Sequence, residues 1–216
     1  MKTGIISLCD YTGIFTQPWR AAGIAALHVD PQRESNGTIL EMMPAIREFI
    51  KNHNIALVAG FPPCTDVAVS GAAHFESKKT KDPHFQAKAA LVAEQCRMIG
   101  EMIGAPWFFE NPVSVFSSIF GKPDFVFNPY DFGGYLPADD KHPQWPDYIA
   151  PRDSYPKKTC LWVGCGFELP EKKLVNCPKG YSDQHKKLGG KSLKTKNIRS
   201  ATPRGFSLAV YQKYAI

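Results

Sequence analysis

No stretch of this sequence approaches the roughly 20 consecutive apolar residues that a membrane-spanning helix needs. Asp, Lys, Gly and Pro interrupt every candidate. No secretory leader is expected either, because the first apolar run, Gly4 to Leu8, stops at Asp10. The six cysteines, at positions 9, 64, 96, 160, 165 and 177, are therefore expected as reduced thiols in a cytoplasm rather than as a disulfide framework. The full glycine-rich fingerprint of dinucleotide-binding loops does not occur, and there is no internal repeat or low-complexity tract. Cys160, Cys165, Cys177 and His185 could clip a zinc ion, but their spacings match no compact zinc pattern closely, so no metal is assigned. His74, His84 and His142 lack ligand spacing and are read as surface or turn histidines.

The 216 residues, 44% of them hydrophobic, can bury one sizeable core, which predicts a single domain with an appendage. The net charge of +6 is modest and uneven. From Lys157 to Arg204 the chain carries Lys158, Lys172, Lys173, Lys179, Lys186, Lys187, Lys191, Lys194, Lys196 and Arg199 against only Glu168, Glu171 and Asp183. Such asymmetry suits a polyanion, because each phosphate that is neutralised releases counterions. A solvated loop whose lysines only keep it soluble is the plainer alternative.

Gly4 to Leu8 reads as a buried strand running into the loop Asp10-Tyr11-Thr12-Gly13. Thr16 and Pro18 predict the N-cap and first turn of a helix ending at Gly23, and Ile24 to Val29 a second strand closed by Asp30. A helix over about 41–51 buries Met42, Met43, Ile46, Phe49 and Ile50. The strand Ile55 to Ala59 then delivers Phe61-Pro62-Pro63-Cys64. Phe85, Ala89, Val92, Cys96, Ile99 and Ile103 recur at helical steps, which places Cys96 in the core. Trp107 to Phe109 is a further strand, ending at Glu110-Asn111-Pro112. Alternating helices and short strands predict an α/β fold, a parallel sheet with helices on both faces and ligands outside the carboxyl ends of the strands. After Gly121 the chain reads as loop-rich to about Pro156. Thr159 to Val163 follows as a strand, then a basic loop segment and a short terminal helix over Ser207 to Tyr214.

Two side chains carry the chemistry. A thiol on a turn stiffened by two prolines is held where a nucleophile must be, and it acts once it becomes thiolate. A carboxyl group at the end of the neighbouring strand shares the same crevice, and in an apolar pocket its pKa would rise so that it can donate to a ring nitrogen. Thiol addition to carbon 6 of a pyrimidine becomes feasible when nitrogen 3 is protonated or strongly hydrogen-bonded, so Cys64 and Glu110 make a chemical pair. Asp30 stands where an acid accepts from ribose hydroxyls, and the loop after the first strand supplies a glycine for close backbone approach.

In order, Asp10-Tyr11-Thr12-Gly13, Asp30, Gly60-Phe61-Pro62-Pro63-Cys64 and Phe109-Glu110-Asn111-Pro112 resemble the cofactor loop, ribose acid, Pro-Cys nucleophile loop and Glu-Asn-Val motif of DNA cytosine-C5 methyltransferases. The resemblance is closest to small, phage-type members and covers about the first half of the chain. Pro156-Lys157-Lys158-Thr159 and Arg199-Ser200-Ala201-Thr202-Pro203-Arg204-Gly205-Phe206 resemble the family's later motifs more loosely.

The resemblance implies a Rossmann-like S-adenosylmethionine-dependent methyltransferase sheet over residues 1–160, with 199–216 returning to pack on it. Residues 161–198 would then be a reduced, basic target-recognition segment. It implies Cys64 as the nucleophile at carbon 6, Glu110 as the partner of nitrogen 3, and Lys158 as a base-contacting residue. Asp10, Tyr11, Thr12, Gly13, Asp30 and Pro62 would hold S-adenosylmethionine. DNA is the implied partner, with the target cytosine flipped out or in a single strand, in the cytoplasm of a bacterium or phage-infected cell. Two alternatives stay open: C5 modification of a free pyrimidine nucleotide, and a catalytically silent scaffold that binds DNA or a host protein.

Overall fold

Short apolar runs closed by turn-forming residues become the strands of one sheet, and the three- and four-residue apolar repeats become the helices packed on it. The computed structural model describes residues 1–34, 39–180, 182–189 and 192–215; Lys191 of the basic segment and the terminal Ile216 lie outside them. The first half runs β1 (Lys2–Leu8), α1 (Gln17–Ala21), β2 (Ala25–Val29), α2 (Pro31–Glu34), α3 (Met43–Asn52), β3 (His53–Gly60), α4 (Phe75–Lys81), α5 (Phe85–Ile103) and β4 (Trp107–Pro112). The second runs α6 (Phe116–Ile119), β5 (Phe125–Phe127), β6 (Thr159–Gly164), α7 (Asp183–Lys187), α8 (Leu193–Ser200) and α9 (Arg204–Tyr214).

The protein is α/β with a six-stranded mixed sheet of order β2-β1-β3-β4-β6-β5. β1 pairs in parallel with β2 and β3, and β3 with β4, as the alternating pattern predicts. The expectation of an all-parallel sheet fails at β6, which runs antiparallel to β4. A helical crossover forces parallel pairing, whereas β6 returns after a long loop-rich excursion that imposes no direction.

Two compact units divide the chain. The first comprises Met1–Tyr11, Ile24–Val126 and Thr159–Glu168; the second comprises Thr12–Gly23, Phe127–Lys158 and Leu169–Ile216. This partition differs from a 1–160 core with a 161–198 appendage.

In the first unit the stripe of α5 packs as its spacing predicts, with Ala89, Cys96 and Ile99 buried against Ile6, Leu8, Val58, Trp107 and Phe109. Met42 and Ile46, at and just before α3, join the same cluster, so α3 and α5 lie on one face of the sheet rather than on opposite faces. Gly60, at the end of β3, permits the close approach of α5: a Cβ there would lie 2.7 Å from Cys96 Cβ and 2.9 Å from its Sγ. Gly104, at φ +69°, ends α5 in the left-handed conformation that glycine adopts without steric cost.

In the second unit α9 begins three residues earlier than the apolar pattern indicates, and Ser207 Oγ donates to Phe15 O at 2.8 Å. Thr16 does not cap α1 with its side chain; its hydroxyl donates back to Gly13 O at 3.0 Å. The basic segment is not simply a loop. Ser182 caps α7 by accepting from His185 N, and Ser192 caps α8 by accepting from Thr195 N.

Candidate active site

Four parallel strands bring their carboxyl ends to one edge of the sheet, and this edge receives the polar motifs of the first unit. Asp30 follows β2, Asp10 and Tyr11 follow β1, Pro62 and Cys64 follow β3, and Glu110 lies near the end of β4.

The loop that carries Cys64 is fixed at several points. Phe61 N donates to Leu8 O at 2.8 Å, carrying the sheet one residue past β3. Pro62 is buried, and its carbonyl accepts from Asn111 Nδ2 at 2.9 Å. The carbonyl of Cys64 accepts from Val67 N at 3.2 Å and Ala68 N at 2.9 Å, closing a turn directly after the thiol. Beyond that turn the two motif-bearing segments meet again: Val69 N donates to Val113 O and Val115 N to Val67 O, each at 3.0 Å, around an antiparallel bridge between Ala68 and Ser114. Cys64 therefore lies between two crosslinks to the β4 segment, and Glu110 directly precedes the first of them.

Glu110-Asn111-Pro112 is not a turn after β4 but its last three residues, opposite Leu161, Cys160 and Thr159 of β6. The pairing of β3 with β4 stops at Gly60 opposite Phe109, so Pro112 occupies a stretch held on one side only, where its missing N–H costs no ladder bond. Glu110 is half-buried, and its Oε1 is shielded from solvent. Asn111 is 1% exposed; its Oδ1 has no hydrogen-bond partner among the described residues. The bond from Asn111 to Pro62 is not anticipated from the sequence, although an amide between Glu110 and Pro112 at the end of an apolar strand is a visible signal.

The six thiols differ in their environments. Cys9, Cys96 and Cys160 are buried, Cys165 is exposed, and Cys64 and Cys177 are half-buried. The Cys9 thiol is pushed well above its ordinary value by its hydrogen bond with Cys96, by burial, and by the charges of Cys96, Asp30 and Asp10. Cys165 is raised by desolvation and by the Glu101 carboxylate, and Cys177 by desolvation. Deprotonation is thus opposed at these three positions.

Asp10 and Asp30 are each 3% exposed. Asp10 Oδ2 accepts from Ser7 Oγ at 3.2 Å, and Asp30 Oδ1 accepts from Gln32 N at 2.7 Å at the start of α2.

Thr12, Gly13 and Lys158 belong to the second unit. Thr12 Oγ1 accepts from Ile14 N, Gly13 has φ +64°, and Lys158 is exposed. Beside it Lys157 Nζ donates to Arg199 O at 3.1 Å, linking those two loosely matched motifs.

The second unit also contains a buried polar cluster that the sequence did not indicate. Arg204 Nη1 pairs with Asp140 Oδ1 at 2.6 Å, Arg152 N donates to Asp140 Oδ2 at 3.0 Å, and Gly205 N donates to Asp153 Oδ2 at 2.8 Å. Burial pushes the Asp153 carboxyl up to about 7, against the opposing pull of the Gly205 N–H and the Arg204 charge. His142 is not a surface residue but 3% exposed, with Nδ1 accepting from Gln144 N and Trp145 N. Its pKa is lowered to about 4, first by burial and then by Arg204. Among the described residues no group of three or more His, Cys, Asp or Glu side chains is placed to hold a metal ion, and no helix is long and apolar enough to cross a membrane.

No protein-family model matches the chain, and no curated protein matches it.

Proposed function

We propose that this protein transfers a methyl group from S-adenosylmethionine to carbon 5 of cytosine in DNA, on a Rossmann-like methyltransferase fold. The observation that carries the reading is the double tie between the segments that bear Cys64 and Glu110: Asn111, next to Glu110, to Pro62 before the thiol, and the Val67–Val69 and Val113–Val115 pairing after it. A nucleophile and a proton donor that act on one ring must keep a constant separation, and a rigid shared frame provides it.

In this reading the Cys64 thiolate adds to carbon 6 while Glu110 donates to nitrogen 3, so the electron pair pushed into the ring becomes available at carbon 5. When bound, S-adenosylmethionine supplies an electrophilic methyl group. Loss of the carbon 5 proton to a base then restores the double bond and expels the Cys64 sulfur. The acceptor chemistry at the sheet edge fits the cofactor: Asp30 and Asp10 follow neighbouring parallel strands, where α/β sheets hold ribose hydroxyls, with Tyr11 and Pro62 at the same edge. For Thr12, Gly13 and Lys158 the assignment rests on motif order. The exposed Lys186 and Lys187 of α7, and Lys194, Lys196 and Arg199 of α8, support a DNA partner.

The test is transfer of labelled methyl from S-adenosylmethionine to unmodified DNA with nucleoside analysis of the product. Label in 5-methylcytosine is expected with the wild type and none with Cys64→Ala, while Glu110→Gln should lose about 10²- to 10⁴-fold. Turnover retained by Cys64→Ala would overturn the mechanism. Label incorporated only into free nucleotides would overturn DNA as the substrate.

A further inference from the structure

The turn that carries Cys64 is gripped from its far side by a lysine that none of the sequence motifs include. Lys78, in α4, donates from Nζ to Thr65 O at 2.6 Å and to Asp66 Oδ1 at 2.8 Å, and the same ammonium lies 6.0 Å from the centre of the Phe85 ring. Its side chain is 29% exposed and that of Asp66 40%. A lysine this well satisfied, fourteen positions after the nucleophile, has no spacing that would reveal it in the sequence.

We propose that Lys78 is a positioning residue for Cys64: it holds the carbonyl next to the nucleophile and neutralises the Asp66 carboxylate two residues beyond it. The inference rests on the reading of Cys64 as the nucleophile. Its electrostatic half rests on the closeness of Asp66 to Cys64 along the chain and on the Lys78–Asp66 ion pair. Without Lys78, a carboxylate stands unneutralised two residues from the thiol, and a nearby like charge disfavours the thiolate. Its structural half follows from the carbonyl bond, because Thr65 lies inside the Cys64–Ala68 turn, beyond the Pro62 carbonyl that Asn111 holds. Glu110, Asp10, Asp30 and Tyr11 are further titratable side chains of the site at this edge, and every variant below leaves them unchanged.

The experiment is the pH dependence of iodoacetamide alkylation at Cys64 in the full chain, read by mass spectrometry of the Cys64 peptide, with the exposed Cys165 as an internal control. The apparent midpoint of Cys64 should rise by about half a unit to one unit in Lys78→Gln. It should stay at the wild-type value in Lys78→Arg, and return to it in the double variant Lys78→Gln/Asp66→Asn, where the carbonyl tie is still lost but no charge is left uncompensated. The Cys165 profile should be the same throughout. A Lys78→Gln midpoint equal to the wild type, or a double variant as shifted as the single one, would overturn the proposal. A change in the Cys165 profile would mark global disruption, and the double variant then decides, since a folding defect has no reason to be reversed by Asp66→Asn. The readout needs no methyl transfer, so it separates from the outcome of the activity assay.

Discussion

Asn111 Nδ2 donates to the Pro62 carbonyl at 2.9 Å, and this bond joins the strand that carries Glu110 to the loop that carries Cys64. Both partners are buried, which removes water as a substitute donor. Leaving a buried acceptor unsatisfied costs about 1–3 kcal/mol. If the protein works as proposed, Asn111→Ala is expected to reduce kcat by roughly tenfold or more while leaving KM for DNA nearly unchanged, because the interaction sets geometry rather than contact with the substrate. Steady-state kinetics of the purified variant check this; an effect on KM alone would count against it.

Gly60 is the last β3 residue before the loop that carries Cys64, and α5 occupies the volume a side chain would need. A methyl group there must displace the backbone-linked Cβ of Cys96 rather than a flexible side-chain end. Gly60→Ala is expected to destabilise the protein by about 1–3 kcal/mol. Urea unfolding measures it, and an unchanged midpoint would show that α5 can shift freely.

Asp153 has a folded-state pKa of about 7 against an ordinary carboxylate value of 3.8. The folded state therefore holds this proton more tightly than the unfolded chain does. The linked stability is fully present below the unfolded value and is lost as pH rises toward 7. Asp153→Asn keeps an oxygen to accept from Gly205 N and tolerates the residue's φ of +48°. The variant should gain stability over the wild type at pH 7.5 and lose that advantage at pH 4, as read from urea midpoints at the two values.

His142 has the opposite sign. Its folded pKa of about 4 lies below the ordinary 6.5, so its contribution is present above 6.5 and is lost as pH falls through 4. Protonation would also turn Nδ1 from an acceptor into a donor facing two backbone N–H groups. Over the shared window between pH 4 and 6.5 the two slopes oppose each other. Replacing Asp153 alone should expose the histidine slope, so that the Asp153→Asn protein becomes steadily more stable as pH rises across it.

Strands β1, β2 and β3, the start of β4, β6, and helices α3, α5 and α9 were legible because each buries a periodic apolar set that only one geometry satisfies. α7 and α8 were not. Gln184 of α7 and Thr195 and Ile198 of α8 are their buried positions, so polar residues hide the helical period, and the signal lay in the caps Ser182 and Ser192. The direction of β6 was hidden for a different reason: an apolar run of five looks the same in either direction. Cys64 and Glu110 were found through the residues beside them in sequence, whereas Lys78 reaches the loop from α4, and no local pattern encodes a contact across thirteen residues.

The first and second units each consist of three separated segments, six in all, so the chain passes from one to the other five times. Neither can be completed from a nascent chain that has emerged only partway: the sheet waits for Thr159–Gly164 to cover β4, and the second unit needs segments on both sides of that strand. Most of the decisive contacts therefore pair residues far apart in sequence, a topology associated with slow folding. A polypeptide stopped after Val126 would leave the lateral edge of β4 exposed, a site for aggregation rather than a smaller folded unit.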